Sequence, residues 1–241
     1  MTDSMARFKE VDLEEKKVLD AGTGACGMTK ILEDKGAEVV SVDIERERMI
    51  DCRSQTESTD FLQADLSNMR FIESESFDHV FCKGTVSALS INKTLFVTSV
   101  LRELHRILKN GGQLTIIDYY PFEEESSPVP LDEHQVELWR LEKAVFELID
   151  EGHLEEYSPE LLKDELRSIG FGDVTHSIFR DELPWSDELL KEHEEVILEN
   201  IELIEEEYLG AALKKKLRDI ISSTEKKKVV SGAQYELNAK R

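Results

Sequence analysis

Apolar residues recur along this chain with two periods, one suited to buried strands and one to one-sided helices. Short runs dense in Val, Ile, Leu and Phe stand at 17–21 (KVLDA), 37–44 (AEVVSVDI), 60–66 (DFLQADL), 77–84 (FDHVFCKG) and 113–121 (QLTIIDYYP). Such runs, bounded by Gly, Pro or charged residues, read as strands covered on both faces. Between them the spacing turns helical: Met28 to Leu32 closing at Gly36, Glu45 to Cys52, and Leu95 to Leu108. The last puts Leu101, Leu104, Ile107 and Leu108 on one face ahead of Asn110, Gly111 and Gly112. Strand and helix alternating at this rhythm predict an α/β fold, a mostly parallel sheet with helices on both faces.

Beyond Pro121 the pattern changes. A link with Pro and Ser at 121–130 leads into 131–152, where Leu138, Leu141, Val145 and Leu148 share a helix face, the expected lid over the end of the sheet. Ser158 as N-cap, Pro159 at the first helical position and Gly170 just past the end frame another helix. Residues 171–183 read as a sixth strand and 231–241 as a closing seventh. Between these two, from Ser186 to about Lys228, a Glu- and Lys-rich insertion carries Leu190, Ile197, Ile201, Ile204 and Tyr208 as a stripe, with Gly210 expected to divide it into two helices. An apolar stripe needs a partner: the body of the same chain first, a second copy next, a protein substrate third. The expected organisation is one domain, with a ligand-binding core at 1–120, a lid-like insertion at 121–157, a core helix and strand six at 158–183, a helical insertion at 184–229 and a closing strand at 230–241.

Composition narrows the function. The 241 residues, 40% hydrophobic, suffice for one sizeable core. A net charge of -22 repels phosphate backbones and anionic membranes, so neither nucleic acid nor a membrane is an expected partner. The lysines at 214–216 and 226–228 read as solvated helix ends. No apolar run approaches the ~20 residues of a membrane span, and the opening MTDSMARFKEVDLEEKK lacks the apolar core of a signal peptide, so a cytoplasmic location is expected. Cys26, Cys52 and Cys82, an odd number with no CxxC pair, suit reduced thiols and speak against a disulfide frame or a metal site.

In parallel sheets, ligands bind beyond the carboxyl ends of the strands, where strand order reverses. Gly22 to Gly27, Asp43, Asp65, Cys82 to Gly84 and Asp118 to Tyr120 all fall at such ends. Five stretches carry a resemblance: VLDAGTG (18–24), VVSVDI (39–44), LQADL (62–66), FDHVFCKG (77–84) and LRELHRILKNGGQLTIID (101–118). In this order and spacing they resemble the class I S-adenosylmethionine-dependent methyltransferases of small-molecule type, whose sheet is Rossmann-like and seven-stranded. The resemblance implies that Ala21, Gly22, Thr23 and Gly24 cradle the amino-acid end of S-adenosylmethionine while Asp20 holds its ammonium. It implies further that Asp43 takes the ribose hydroxyls, Ile44 packs on adenine, and Asp65 accepts from the adenine amino group with Leu66 as apolar cover. Cys82, at the end of the fourth strand, is a candidate for lining the same pocket, with a buried inert thiol as the safer reading.

The glycine loop also fits a dinucleotide fingerprint in letters. A sulfonium and an ammonium suit Asp20 and Asp65, however, whereas a pyrophosphate would be repelled by both. Taken singly, Asp43 could merely cap the next helix, and Asp65 the turn at Ser67 and Asn68. Two departures stand out. Cys26 occupies a position where the family often has a third glycine, here displaced to Gly27. Gly84 and Ala88 stand where many relatives carry a Glu and a His.

Methyl transfer is an in-line displacement in which positioning supplies most of the rate, so a general base is optional. Candidate catalytic residues are Tyr119, Tyr120 and His134. Lys83, Tyr119, Tyr120 and Trp139 are candidates for the substrate wall, with His153 beside them. One of the adjacent tyrosines is expected to point each way. The expected activity is methylation of a small molecule with S-adenosylhomocysteine as product, by a monomer or homodimer without a metal. Methylation of a protein side chain and cofactor binding without turnover are the alternatives.

Overall fold

Every apolar run expected to be a strand forms one, and the seven pair into a single sheet. The computed structural model describes residues 11–89, 94–122, 132–180, 184–224, 228–230 and 232–241. The strands are β1 (Lys17–Ala21), β2 (Glu38–Asp43), β3 (Asp60–Gln63), β4 (Phe77–Lys83), β5 (Leu108–Tyr119), β6 (Gly172–Arg180) and β7 (Ala233–Lys240). Their order is β3-β2-β1-β4-β5-β7-β6. The first five pair in parallel, and β7 runs antiparallel between β5 and β6.

The helices among the described residues are α1 (Gly27–Asp34), α2 (Arg46–Arg53), α3 (Thr85–Leu89), α4 (Thr94–Ile107), α5 (Glu133–Leu148), α6 (Pro159–Ile169), α7 (Asp187–Ile201) and α8 (Glu207–Thr224). Because strand side chains alternate, neighbours in sequence serve opposite faces. Leu19, Cys82 and Ile116 join α4 and α6 through Leu101, Leu104, Leu162 and Leu166. Val18, Phe81 and Ile117 pack with Leu13, Met28 and Leu32 on the other face. This two-sided burial is why the central strands read as nearly solid apolar runs. The punctuation of α6 is as expected: the Ser158 hydroxyl accepts from the Leu161 N–H at 3.2 Å, and Gly170 closes the helix with φ 119°.

Several boundaries differ from expectation. β5 begins at Leu108, not Gln113: Phe77 pairs with Leu108, and after a register shift His79 pairs with Gln113, with Gly111 at φ 78° in between. β3 ends at Gln63, which leaves Asp65 in the following turn. The short α3 has no periodic apolar signal to announce it. In the insertion, the helices separate at 202–206, and Gly210 lies buried inside α8. A Cβ at Gly210 would lie 3.8 Å from Ile201 Cγ2, an ordinary contact, so no close approach demands glycine there. Tyr208 is 94% exposed and leaves the stripe, as the exposed Leu148 leaves its helix face.

The stripe finds its partner in the same chain. Ile197, Ile201, Leu217 and Ile220 pack against Leu138, Leu141 and Val145 of α5. Lys214 pairs with Glu202, Lys215 with Asp219 at 2.9 Å and Lys216 with Glu137 at 2.6 Å, so this lysine cluster is locally neutralised. Lys228 pairs with Asp187, while Lys226 and most of the 121–130 link lie outside the described residues. No helix among the described residues is long and apolar enough to cross a membrane.

Candidate active site

Strand order reverses between β1 and β4, and the loops leaving these two strands touch. Gly22 has φ +100°, and a Cβ on it would fall 2.6 Å from Thr85 Oγ1. Only glycine fits there, because an L side chain is strained at that φ and has no space. Thr85 in turn donates its hydroxyl to the Ala21 carbonyl at 2.7 Å. The Gly22 and Thr23 N–H groups donate to the Val42 carbonyl at 2.8 and 3.1 Å, and the Gly24 N–H donates to Asp43 Oδ2 at 3.1 Å. β2 therefore holds the loop from one side and α3 from the other. Where a Cβ would project from Gly24 and Gly84, at φ +48° and +64°, no atom lies nearer than 3.9 Å, so the loop presents open backbone.

Asp20 lies fully buried beneath this loop. Its Oδ2 accepts from Thr29 Oγ1 at 2.5 Å and from Ser41 Oγ at 3.4 Å, while Thr23 and Ser41 share a hydroxyl hydrogen bond of 2.7 Å. Oδ1 has no partner among the described residues. Burial pushes the Asp20 carboxyl up to about 7, against the lowering effect of the Thr29 and Ser41 hydroxyls; nearby Asp43 adds to the rise and Lys83 opposes it. A buried acceptor with an orphaned oxygen is a strong demand for a donor or a cation.

The cysteine expectation is overturned. Cys26 and Cys52 form a disulfide with Cα atoms 5.1 Å apart, leaving Cys82 as the free cysteine. Spacing of 26 residues with no CxxC carried no signal, because the pairing depends on neighbouring β1 and β2 laying α1 and α2 side by side. Cys26 also supplies what the displaced glycine does not: its backbone is left-handed, φ 68°, at the N-cap of α1. The missing third glycine is thus replaced conformationally, with the disulfide holding a residue that pays strain in that region.

Asp43, at the end of β2, uses both oxygens in the loop, taking the Gly24 N–H on Oδ2 and the Glu45 N–H on Oδ1 at 3.0 Å. Ile44 beside it is 64% exposed, a large apolar side chain presented at the crevice mouth. Asp65 Oδ1 accepts from the N–H and hydroxyl of Ser67 at 2.8 and 2.7 Å, the turn-capping role, and Leu66 is buried in the core. Cys82 is buried in the same cluster; burial, then the Asp20 and Asp118 carboxylates, push its thiol up, which makes it inert. Lys83 is exposed.

The two tyrosines diverge as strand alternation requires. Tyr119 faces a cavity, while Tyr120 is buried in the sheet core, its N–H donating to Ala233. Tyr120 therefore stands apart from the cavity. The cavity, of about 90 Å³, is lined by Tyr119, Phe122, Gln135, Leu138, Trp139, Glu142, Leu154, Trp185 and His193. Helix α5 forms one wall, started by Asp132, whose Oδ1 accepts from the His134 and Gln135 N–H groups at 3.1 and 3.2 Å. His134 is outside the cavity lining, its ring 3.7 Å from Asp132. His153 lies behind the wall, edge-on to Trp139 at 4.5 Å. Trp185, Glu142 and His193 had no motif to point at them, since α5, α7 and the segment just before α7 bring them together.

The comparisons agree with this architecture. Residues 19–116 match a family described as a methyltransferase domain. A malonyl-(acyl-carrier protein) O-methyltransferase from Enterobacter lignolyticus is 31% identical over 98 residues, which cover 41% of this chain and only 37% of that protein. A solved methyltransferase dependent on S-adenosylmethionine, from Archaeoglobus fulgidus, superposes with a TM-score of 0.61 at 16% identity, covering 99% of this chain and 93% of that one. The YcgJ protein of Bacillus subtilis gives 0.63 at 17% identity, covering 99% and 96%. The match over residues 19–116 is thus to a methyltransferase domain, and the seven-stranded sheet, with the glycine loop at the point where strand order reverses, has the fold of solved S-adenosylmethionine-dependent methyltransferases.

Proposed function

We propose that this protein transfers a methyl group from S-adenosylmethionine to a small-molecule acceptor and releases S-adenosylhomocysteine. The observation that carries the reading is the orphaned, fully buried Oδ1 of Asp20 under a loop too tight at Gly22 for any Cβ. A ligand with an ammonium answers that oxygen, and open backbone at Gly24 and Gly84 leaves it room.

In this reading the loop from Ala21 to Gly24 cradles the amino-acid end of the donor. Asp20 answers its ammonium, Asp43 the ribose and Ile44 the adenine, with Asp65 and Leu66 at the far edge. When bound, S-adenosylmethionine supplies a methyl carbon activated by a sulfonium, whose thioether is a good leaving group. The protein's task is then to align an acceptor and exclude water. Tyr119 and Trp139 line the cavity where the acceptor would sit, and Glu142 lies within the same wall. A cavity this small, with α5 as one wall, favours a small acceptor over a protein side chain.

Isothermal calorimetry tests the reading, with S-adenosylmethionine, S-adenosylhomocysteine and NAD as titrants and an Asp43→Ala variant as control. Both sulfur ligands should bind, NAD should not, and Asp43→Ala should weaken binding at least tenfold. If neither sulfur ligand binds, the methyltransferase activity is withdrawn.

A further inference from the structure

Resting on that reading, we propose that the acceptor is a small amine and that the cavity beyond β5 is a cage for its alkylated nitrogen. Four aromatic side chains line it: Tyr119, Phe122, Trp139 and Trp185. Phe122 sits 6.3 Å from the Tyr119 ring and 5.2 Å from that of Trp139, so the three make a continuous π wall. Aromatic faces carry negative potential and attract cations, alkylammonium groups above all.

The polar atoms in the wall have the same preference. Glu142 brings a carboxylate into the lining, with a side chain only 14% exposed. The Gln135 amide oxygen is buried and has no partner among the described residues. No Lys or Arg is among the nine lining residues. An anionic acceptor, such as the free carboxylate of a malonyl group, would meet Glu142 with no Lys or Arg in the lining to offset it. A cation would meet a carboxylate, an open carbonyl oxygen and four rings. A cavity of about 90 Å³ holds a headgroup of a few heavy atoms, well below the ~300 Å³ where pockets for drug-sized ligands begin.

Glu142 also has a place in the reaction. His193 Nδ1 lies 3.5 Å from its Oε2 and His153 Nε2 lies 4.0 Å from its Oε1, so two imidazoles flank one carboxylate. The acceptor attacks as a neutral amine: its lone pair forms the N–C bond while the C–S bond breaks and its electron pair stays on sulfur. The nitrogen becomes the cation that the cage favours. With a primary or secondary amine, the extra proton passes to Glu142 and His193 and on to solvent.

The protein's only two tryptophans, Trp139 and Trp185, both line this cavity, so intrinsic tryptophan fluorescence reports on it alone. Tetramethylammonium chloride is titrated against tert-butanol, its neutral counterpart in shape, at matched ionic strength. The cage predicts saturable quenching by tetramethylammonium at concentrations at least roughly tenfold lower than for tert-butanol. Glu142→Gln should weaken the cation roughly tenfold and leave the alcohol unchanged. Trp185→Leu, read through Trp139, should weaken it more than Trp185→Phe, which serves if Glu142→Gln fails to fold. Equal affinity for the two probes, or no saturable response to the cation, overturns the proposal. Calorimetry with S-adenosylmethionine on the same samples separates the two readings: donor binding without cation preference removes the cage alone, and cation preference without donor binding removes methyl transfer while the cage stands.

Discussion

Cys26 and Cys52 are joined across the start of α1 and the end of α2, so a disulfide fastens the far end of the glycine loop to the next helix. Denatured, unreduced protein should titrate one thiol, that of Cys82, and three after reduction. Closing a loop of this size stabilises by about 3 kcal/mol in the chain-entropy account. Cys52→Ala should therefore lower the unfolding free energy by up to that amount and weaken donor binding. Cys26→Gly combined with Cys52→Ala restores a residue that accepts φ 68° and should regain binding without regaining all the stability. Thiol counting, chemical denaturation and calorimetry check the three parts.

Asp20 makes stability and binding depend on pH in opposite directions. Its carboxyl is raised from 3.8 to about 7 in the folded state, so the fold holds a proton there that the unfolded chain releases. The associated stability is full below about pH 4 and is lost as pH rises through about 7, a change on the order of 4 kcal/mol relative to an Asp20→Asn variant, which should lack the slope. A bound ammonium favours the carboxylate instead. Donor affinity should rise with pH up to about 7, and binding at pH 6 should release a proton, visible as a buffer-dependent enthalpy. A flat difference between wild type and Asp20→Asn from pH 4 to 8 would count against this.

Gly22→Ala combines strain at φ +100° with a Cβ 2.6 Å from Thr85 Oγ1. It should cost about 2 kcal/mol or more and abolish donor binding. Adding Thr85→Ala removes the clash but not the backbone strain, and it deletes the hydrogen bond to Ala21. The double variant should recover part of the melting temperature and little of the binding.

Gly210 separates two accounts of the helical insertion. As a helix divider it would resist substitution; inside α8, with 3.8 Å of space to Ile201, it should welcome a methyl group. Gly210→Ala is expected to stabilise by about 0.5–1 kcal/mol through helix propensity alone. Urea denaturation gives the sign directly.

The chain's own letters determined whatever depends on local pattern. Apolar runs announced seven strands, the central ones covered on both faces, Ser158, Pro159 and Gly170 bounded α6, and Gly22 declared a turn where no side chain fits. They also placed Asp20 and Asp43 at strand ends, with Asp65 falling in the turn beyond β3, and the divergence of Tyr119 and Tyr120 followed from strand alternation. The tertiary structure decided what depends on residues far apart. Cys26 meets Cys52 because β1 and β2 set two helices side by side. Gly210 is a contact and not a break, because Ile201 folds back against it. The aromatic cavity draws Tyr119 from β5, Glu142 from α5 and Trp185 and His193 from beyond β6. No spacing rule joins these residues, since their proximity comes from the packing of α5 on α7 and α8, and that packing is driven by buried area, which is blind to sequence separation.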